Sequence, residues 1–191
     1  MATYKKKAHE LNAHIVFIDE TGLLMAPLVR RSWAPCGKTP ILYQRTRSHE
    51  KVSMIAALSV PPIRKRIGLY FALHRKNINA KLIVRFLGNL SRQIRGPIIL
   101  VWDRLRAHRA KKTSGFINSK KRILTYFLPP YAPELNPVEF KWAYLKNNPL
   151  SNRPCFSVQE LSATARYESI KITQKSSLLR SFLYATPLFL S

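Results

Sequence analysis

Acidic residues are scarce in this chain. Nine Asp and Glu stand against 33 Lys and Arg in 191 residues, a formal net charge of +24. Like charges on a compact body repel one another, so such a surface favours a polyanionic partner. Nucleic acid comes first, because each neutralised phosphate releases a condensed counterion. Cysteine is also scarce. Cys36 and Cys155 form no CxxC pair, which argues against a structural zinc site and against a disulfide scaffold. Long apolar runs are missing too. Residues 15–18 are too short a run for a signal-peptide core. Residues 178–190 are broken by Arg180 and Pro187 and fall short of the ~20 residues that span a bilayer. A soluble, intracellular protein with no membrane partner is expected. Apolar residues make up 46% of the chain, enough for a real core, and the length suits one domain. No internal repeat is present.

What is there reads as alternating strands and helices. His14-Ile-Val-Phe-Ile-Asp19 places an apolar run before an acid and predicts a buried strand, with Thr21-Gly22 turning the chain and residues 23–29 returning as the next strand. Residues 33–40 read as a loop punctuated by Pro and Gly. Residues 52–60, stopped by Pro61-Pro62, and residues 67–73 complete an antiparallel meander of about three strands. From 79 to 95 the apolar residues Leu82, Ile83, Phe86, Leu87, Leu90 and Ile94 recur at helical spacing, with Lys81, Arg85 and Arg92 along another face. A second buried strand, Ile98-Ile-Leu-Val-Trp-Asp103, again ends in an acid. A basic helix over 108–121, a strand over 123–128, a helix opening at Asn136 and a last helix over about 158–170 follow. Strands alternating with helices imply a parallel section of sheet, so the prediction is a mixed α/β layer fold.

The acids that do occur are placed informatively. Asp19 and Asp103 are the only aspartates, and each directly follows a predicted buried strand. If the strands are neighbours, both carboxylates meet at one sheet edge, where close like charges raise a pKa or demand a cation. All-oxygen ligands suit Mg²⁺ or Mn²⁺. The alternative is structural: Asp19 capping the turn at Thr21-Gly22, and Asp103 capping the helix after its strand. Glu139 fits a capping box with Asn136 at the N-cap and Pro137 at the first helical position, a role compatible with reaching a metal. Glu20 adjoins Asp19 but should face the other way along the strand. Arg104, Arg106, Arg109, Lys111 and Lys112, just past the second strand, would line a phosphate track, with a solvated helix face as the alternative. Trp33 and Trp142 read as core residues rather than DNA-stacking ones.

Four blocks carry a family resemblance: Phe17-Ile-Asp-Glu-Thr-Gly22, Trp33-Ala-Pro-Cys-Gly-Lys-Thr-Pro40, Val101-Trp-Asp-Arg-Leu-Arg-Ala-His-Arg109 and Leu128-Pro-Pro-Tyr-Ala-Pro-Glu-Leu-Asn-Pro-Val-Glu-Phe-Lys-Trp142. In this order, over roughly residues 13–150, they resemble the DDE catalytic domain of bacterial insertion-sequence transposases of the mariner-like superfamily. The resemblance implies a ribonuclease-H-like mixed sheet, an antiparallel meander plus parallel strands with flanking helices. It implies Asp19, Asp103 and Glu139 as catalytic and metal-binding residues, with 35 residues between the last two. Glu134 is a nearby competitor in the preceding loop. It further implies two Mg²⁺ (or Mn²⁺) ions, cleavage of transposon ends and strand transfer into target DNA by in-line phosphoryl transfer, and a homodimer on double-stranded DNA in the bacterial cytoplasm, associated with the nucleoid. His108 is placed near the active site and grouped with the DNA-binding cations, a basic helix surface being its alternative.

Arg104 stands where the family has Asn. About a dozen residues precede the first strand, too few for a helix-turn-helix unit, so a separately encoded helix-turn-helix half is expected. These departures favour one alternative, a catalytically inactive remnant acting only as a basic DNA-binding domain. The expected organisation is a basic lead over 1–12, the catalytic domain over 13–150 and a C-terminal helical extension of that domain over 151–191.

Overall fold

The computed structural model describes residues 3–26, 28–42, 50–63 and 66–189. Its centre is a five-stranded sheet in the order β3-β2-β1-β4-β5. Strand β1 (His14–Leu24) pairs antiparallel with β2 (Lys51–Val60), and β2 pairs antiparallel with β3 (Gly68–His74). On the other side of β1 run β4 (Ile98–Trp102) and β5 (Ile123–Phe127), both parallel. This is the mixed sheet expected from the sequence. Both β2 and β4 are apolar nearly throughout because helices cover both faces of the sheet.

Alternation along β1 divides the core. Ile15 and Phe17 face one layer, built with Trp142, Leu145, Leu161, Ala165 and Phe182. Val16 and Ile18 face the other, with Ile83, Phe86, Leu87, Leu90 and Ile117. The second layer is α2 (Ala80–Gln93) and α3 (Lys111–Asn118). Asn79 caps α2 by accepting a hydrogen bond from the Leu82 N–H at 3.1 Å. The first layer holds α1 (Thr3–Glu10), α4 (Pro137–Asn147), α5 (Val158–Gln174) and α6 (Ser176–Tyr184). No helix among the described residues is long and apolar enough to cross a membrane.

Several local expectations need correction. Thr21-Gly22 does not turn the chain: β1 runs straight through, Thr21 opposite Met54 and Gly22 opposite Ser53. The expected strand over 23–29 is absent, because Leu23 and Leu24 finish β1, and residues 28 and 29 pair with no strand (Pro27 lies outside the described residues). Helix α3 starts at Lys111 rather than 108, since the preceding residues form a turn around His108. The basic lead contains a helix, α1, which buries Tyr4 and Ala8 on the core. The last predicted helix extends to Gln174, and a further one, α6, buries Leu179, Phe182 and Leu183. Trp142 is buried, but Trp33 is fully exposed in a segment without regular structure, so its assignment to the core was wrong.

Candidate active site

Strand register brings the two aspartates together. The β1–β4 ladder pairs His14 with Ile98 and Phe17 with Val101. Carried on by two residues, the same offset sets Asp103 abreast of Asp19, on neighbouring strands about 4.8 Å apart. Asp19 lies inside β1 and is buried, whereas Asp103 lies just past β4 and is half-buried.

Helix α4 is fastened over Asp19 by its first residues. The Asn136 side chain accepts a hydrogen bond from the Val138 N–H at 3.2 Å and donates through Nδ2 to the Ile18 carbonyl at 3.0 Å. One side chain thus caps the helix and ties it to the strand residue before Asp19. Pro137 follows at the first helical position, where its missing N–H costs nothing. Glu139 does not close a capping box. The Asn136 N–H is already bonded to the Pro133 carbonyl, so the glutamate side chain is left to point elsewhere. Three residues on, along the same face of the helix, Trp142 donates its indole N–H to Asp19 Oδ2 at 2.8 Å.

The carboxylates feel one another. Burial pushes the Asp19 carboxyl up to about 8, and the charges of Glu139, Glu20 and Asp103 add to the rise, while the Trp142 bond opposes it. Glu139 is also raised, by burial first and by Asp103 as well, with Lys146 opposing. Behind Trp142, the fully buried Lys141 places its Nζ 3.9 Å from the indole centroid and 3.6 Å from Met54 Sδ. Burial drives that amine well below the ordinary lysine range, and Lys146 adds to the effect.

Asp103 is held differently. Its Oδ1 lies 2.7 Å from His108 Nδ1 and accepts the Leu105 N–H at 3.0 Å. His108 Nε2 lies 3.0 Å from Glu20 Oε1. The imidazole is buried and stacks on Trp102, ring centroids 4.1 Å apart. Burial alone would lower its pKa, but the bonds and charges of Asp103 and Glu20 outweigh burial and raise it to about 10, so both ring nitrogens donate. Burial would raise Asp103, but the His108 and Leu105 bonds hold it below the usual carboxylate range.

His108 therefore does not belong with the DNA-contacting cations: it is sequestered between two carboxylates and has no open face for a phosphate. Arg104, Arg106, Arg109, Lys111 and Lys112 are all exposed around the Asp103 edge, with the Arg104 guanidinium 6.0 Å from the Phe127 ring centroid. Glu134 is exposed in the short 3-10 turn before Asn136. The sequence missed the Glu20–His108 contact and Lys141. Only the alternation that turns Glu20 away from Asp19 hinted at the former.

The donor set suits a hard divalent cation. Asp19 and Asp103 each have one oxygen engaged by a protein donor and the other without such a bond, the arrangement in which outer partners orient a metal ligand. Burial first, and the neighbouring acids after it, raise Asp19 and Glu139, so both carboxyls are harder to ionise here than in water. Among the described residues, no three or more His, Cys, Asp or Glu side chains are placed close enough together to hold a metal ion as they stand.

Comparison with known proteins identifies a family and a fold. The family model described as DDE superfamily endonuclease matches residues 14–162. An uncharacterized protein of Sinorhizobium fredii, y4pE/y4sA, is 58% identical over 31 residues, which cover 16% of this chain and 23% of that protein. Among solved structures, a pre-cleavage Mos1 transpososome superposes with a TM-score of 0.67 at 17% identity, over 95% of this chain and 54% of that one. The Mos1 transposase paired-end complex with left transposon end gives 0.65 at 18% identity, over 96% and 55%. The catalytic domain of the Mos1 mariner transposase alone gives 0.57 at 14% identity, over 95% and 78%. At these identities the likeness is one of fold. The chain spans about half the length of the Mos1 transposase chains in those complexes.

Proposed function

The chain belongs to the DDE superfamily endonucleases, and from that membership we propose that it is the catalytic part of a DNA transposase, cutting transposon ends and joining them to target DNA. Asp19, Asp103 and Glu139 are its catalytic carboxylates. One observation carries this: the Asn136 staple that fastens the first turn of α4 over β1, bringing Glu139 into electrostatic contact with Asp19 while Asp103 follows on the neighbouring strand. Residues 13–150 form the catalytic domain, and residues 151–191 extend it.

The three carboxylates would hold two Mg²⁺ or Mn²⁺ ions, which supply an activated oxygen nucleophile and stabilise the leaving oxygen at phosphorus. The protein's own groups orient and position. Trp142 fixes one oxygen of Asp19. His108 and the Leu105 N–H fix one oxygen of Asp103, and Glu20 fixes His108. Arg104, Arg106, Arg109, Lys111 and Lys112 present charge to the DNA backbone beside this edge. The partner is double-stranded DNA, engaged by a homodimer.

The test is metal-dependent nicking of a supercoiled plasmid in Mn²⁺. Asp103→Asn should lower it on the order of 10³-fold while leaving plasmid binding nearly unchanged. Nicking that survives this substitution would sink the assignment. A second reading, a catalytically silent DNA-binding domain, is favoured by Arg104 directly after Asp103. Salt-sensitive binding without nicking by the unmodified chain would select it.

A further inference from the structure

The cations Lys81, Arg85 and Arg92 have no part in the site above. Across residues 51–133 there are eighteen Lys and Arg and a single acid, Asp103. The structure folds much of that span into the α2/α3 layer, and neither helix contains an acidic residue. Between the two helices runs a groove of about 480 Å³ walled by Arg85, Asn89 and Arg92 on α2 and by Phe116 and Lys120 on the α3 side. Gly88 lies in its lining, where an added Cβ would make ordinary contact with the Phe116 ring at 4.0 Å. Lys120 Nζ lies 5.8 Å from the centre of that ring, so an apolar floor meets cationic walls.

The nearby cations differ in kind. Arg122 is consumed structurally, donating to the carbonyls of Ser91, Ile94 and Gly96 at the end of α2. Arg85, Arg92 and Lys120 are exposed and meet no carboxylate along the groove. Arg85 and Arg92 are seven residues apart on one helix, roughly 10 Å along its axis, a reach that takes in more than one phosphate of a DNA strand. The groove is also remote from the carboxylates. The end of α2 leads into the start of β4, and Lys120 leads into the start of β5, whereas Asp103 lies past the far end of β4. The five residues of β4, about 16 Å, separate the Arg92 and Lys120 end of the groove from Asp103, while Arg85 lies nearer the start of α2 and so nearer the carboxylates.

We infer that this groove is a second DNA-backbone site, holding a stretch of duplex beyond the one at the carboxylates. Phosphates meet Arg85, Arg92 and Lys120, and deoxyribose lies against Phe116. The exposed Arg109, Lys111 and Lys112 at the start of α3 link the two places into one cationic track. The inference shares with the proposed function only the premise that the ligand is DNA.

The experiment measures binding of a random-sequence duplex by fluorescence anisotropy, without metal, over a series of salt concentrations. Two triple variants are compared: Arg85→Ala with Arg92→Ala and Lys120→Ala in the groove, and Arg166→Ala with Lys171→Ala and Lys175→Ala on the exposed face of α5. Both lose three charges. The groove variant should bind on the order of tenfold more weakly, with the salt slope reduced by about 2.7, three phosphates at ~0.9 each. The α5 variant should change little. Gly88→Glu, a single carboxylate on the groove floor, should weaken binding in the same direction, with equal thermal melting showing that the fold is kept. Equal losses in both triple variants, or an unchanged slope in the groove variant, would overturn the site. No metal is present and nothing is cleaved, so the groove is read by binding alone, whereas a failed catalytic assignment shows only in the nicking test.

Discussion

The two faces of the central sheet handle a carboxylate in opposite ways. On the α4 face Asp19 is buried against an indole and near other acids, and the buried Lys141 sits over that indole rather than against the carboxylate. On the α2/α3 face Asp103 and Glu20 share a buried imidazolium, and the charge is balanced on the spot. The first arrangement holds a carboxyl that resists ionisation; the second makes a fixed mount. The difference teaches that two neighbouring aspartates need not be held symmetrically: one can be poised and the other braced.

The largest effect expected from breaking this asymmetry is in pH dependence. Asp19 is raised to about 8, so the fold favours its protonated form. The resulting stability is complete below the unfolded carboxylate range near pH ~4 and is lost as pH rises through about 8. His108 contributes stability that is complete below its unfolded value of about 6.5 and lost only as pH rises through about 10. The melting temperature of the metal-free protein should therefore decline from mildly acidic to mildly alkaline pH, and Asp19→Asn should flatten the lower part of that decline. Mn²⁺ should raise the melting temperature more on the alkaline side of neutrality than in mild acid, because it stabilises the ionised carboxylate. Equal metal shifts at both would contradict the poised state of Asp19.

His108→Ala comes next. It leaves Asp103 and Glu20 facing each other without the cation between them, and should cost roughly 3–5 kcal/mol in denaturant unfolding. His108→Gln keeps a donor and should cost less. Trp142→Phe removes the hydrogen bond to Asp19 while keeping much of the ring, for a loss of about 1.5–3 kcal/mol. Combined with Asp19→Asn, the two losses should be less than additive, and simple additivity would mean that the bond contributes nothing. The smallest change has the opposite sign: Lys141→Met replaces a buried amine by an apolar chain of similar length and should stabilise by about 1 kcal/mol.

The sequence announced the braced and poised acids themselves but not how they are held. Asp19 and Asp103 were legible because an apolar run directly precedes each, and the Asn136-Pro137 start of α4 because its signals are local. The end of β1 was not legible. Thr21 and Gly22 read as a turn, and only their pairing with Met54 and Ser53 on a distant strand keeps them extended. Helix α1 was hidden because it has few apolar residues, Tyr4 and Ala8 supplying its buried side. The Glu20–His108 contact spans 88 positions and has no local signature.

The bond between Asp19 and Trp142 also spans 123 positions, and β1 reaches its parallel neighbour β4 only across the whole meander and α2. On a ribosome adding 5–20 residues per second, roughly 6–25 s pass between the synthesis of Asp19 and that of its indole donor. During that interval the antiparallel strands and α2 are already available to collapse, but α4 is not. The acidic centre is thus sealed late, and a nascent chain carries the Asp19 carboxylate without its indole cover until residue 142 has been made.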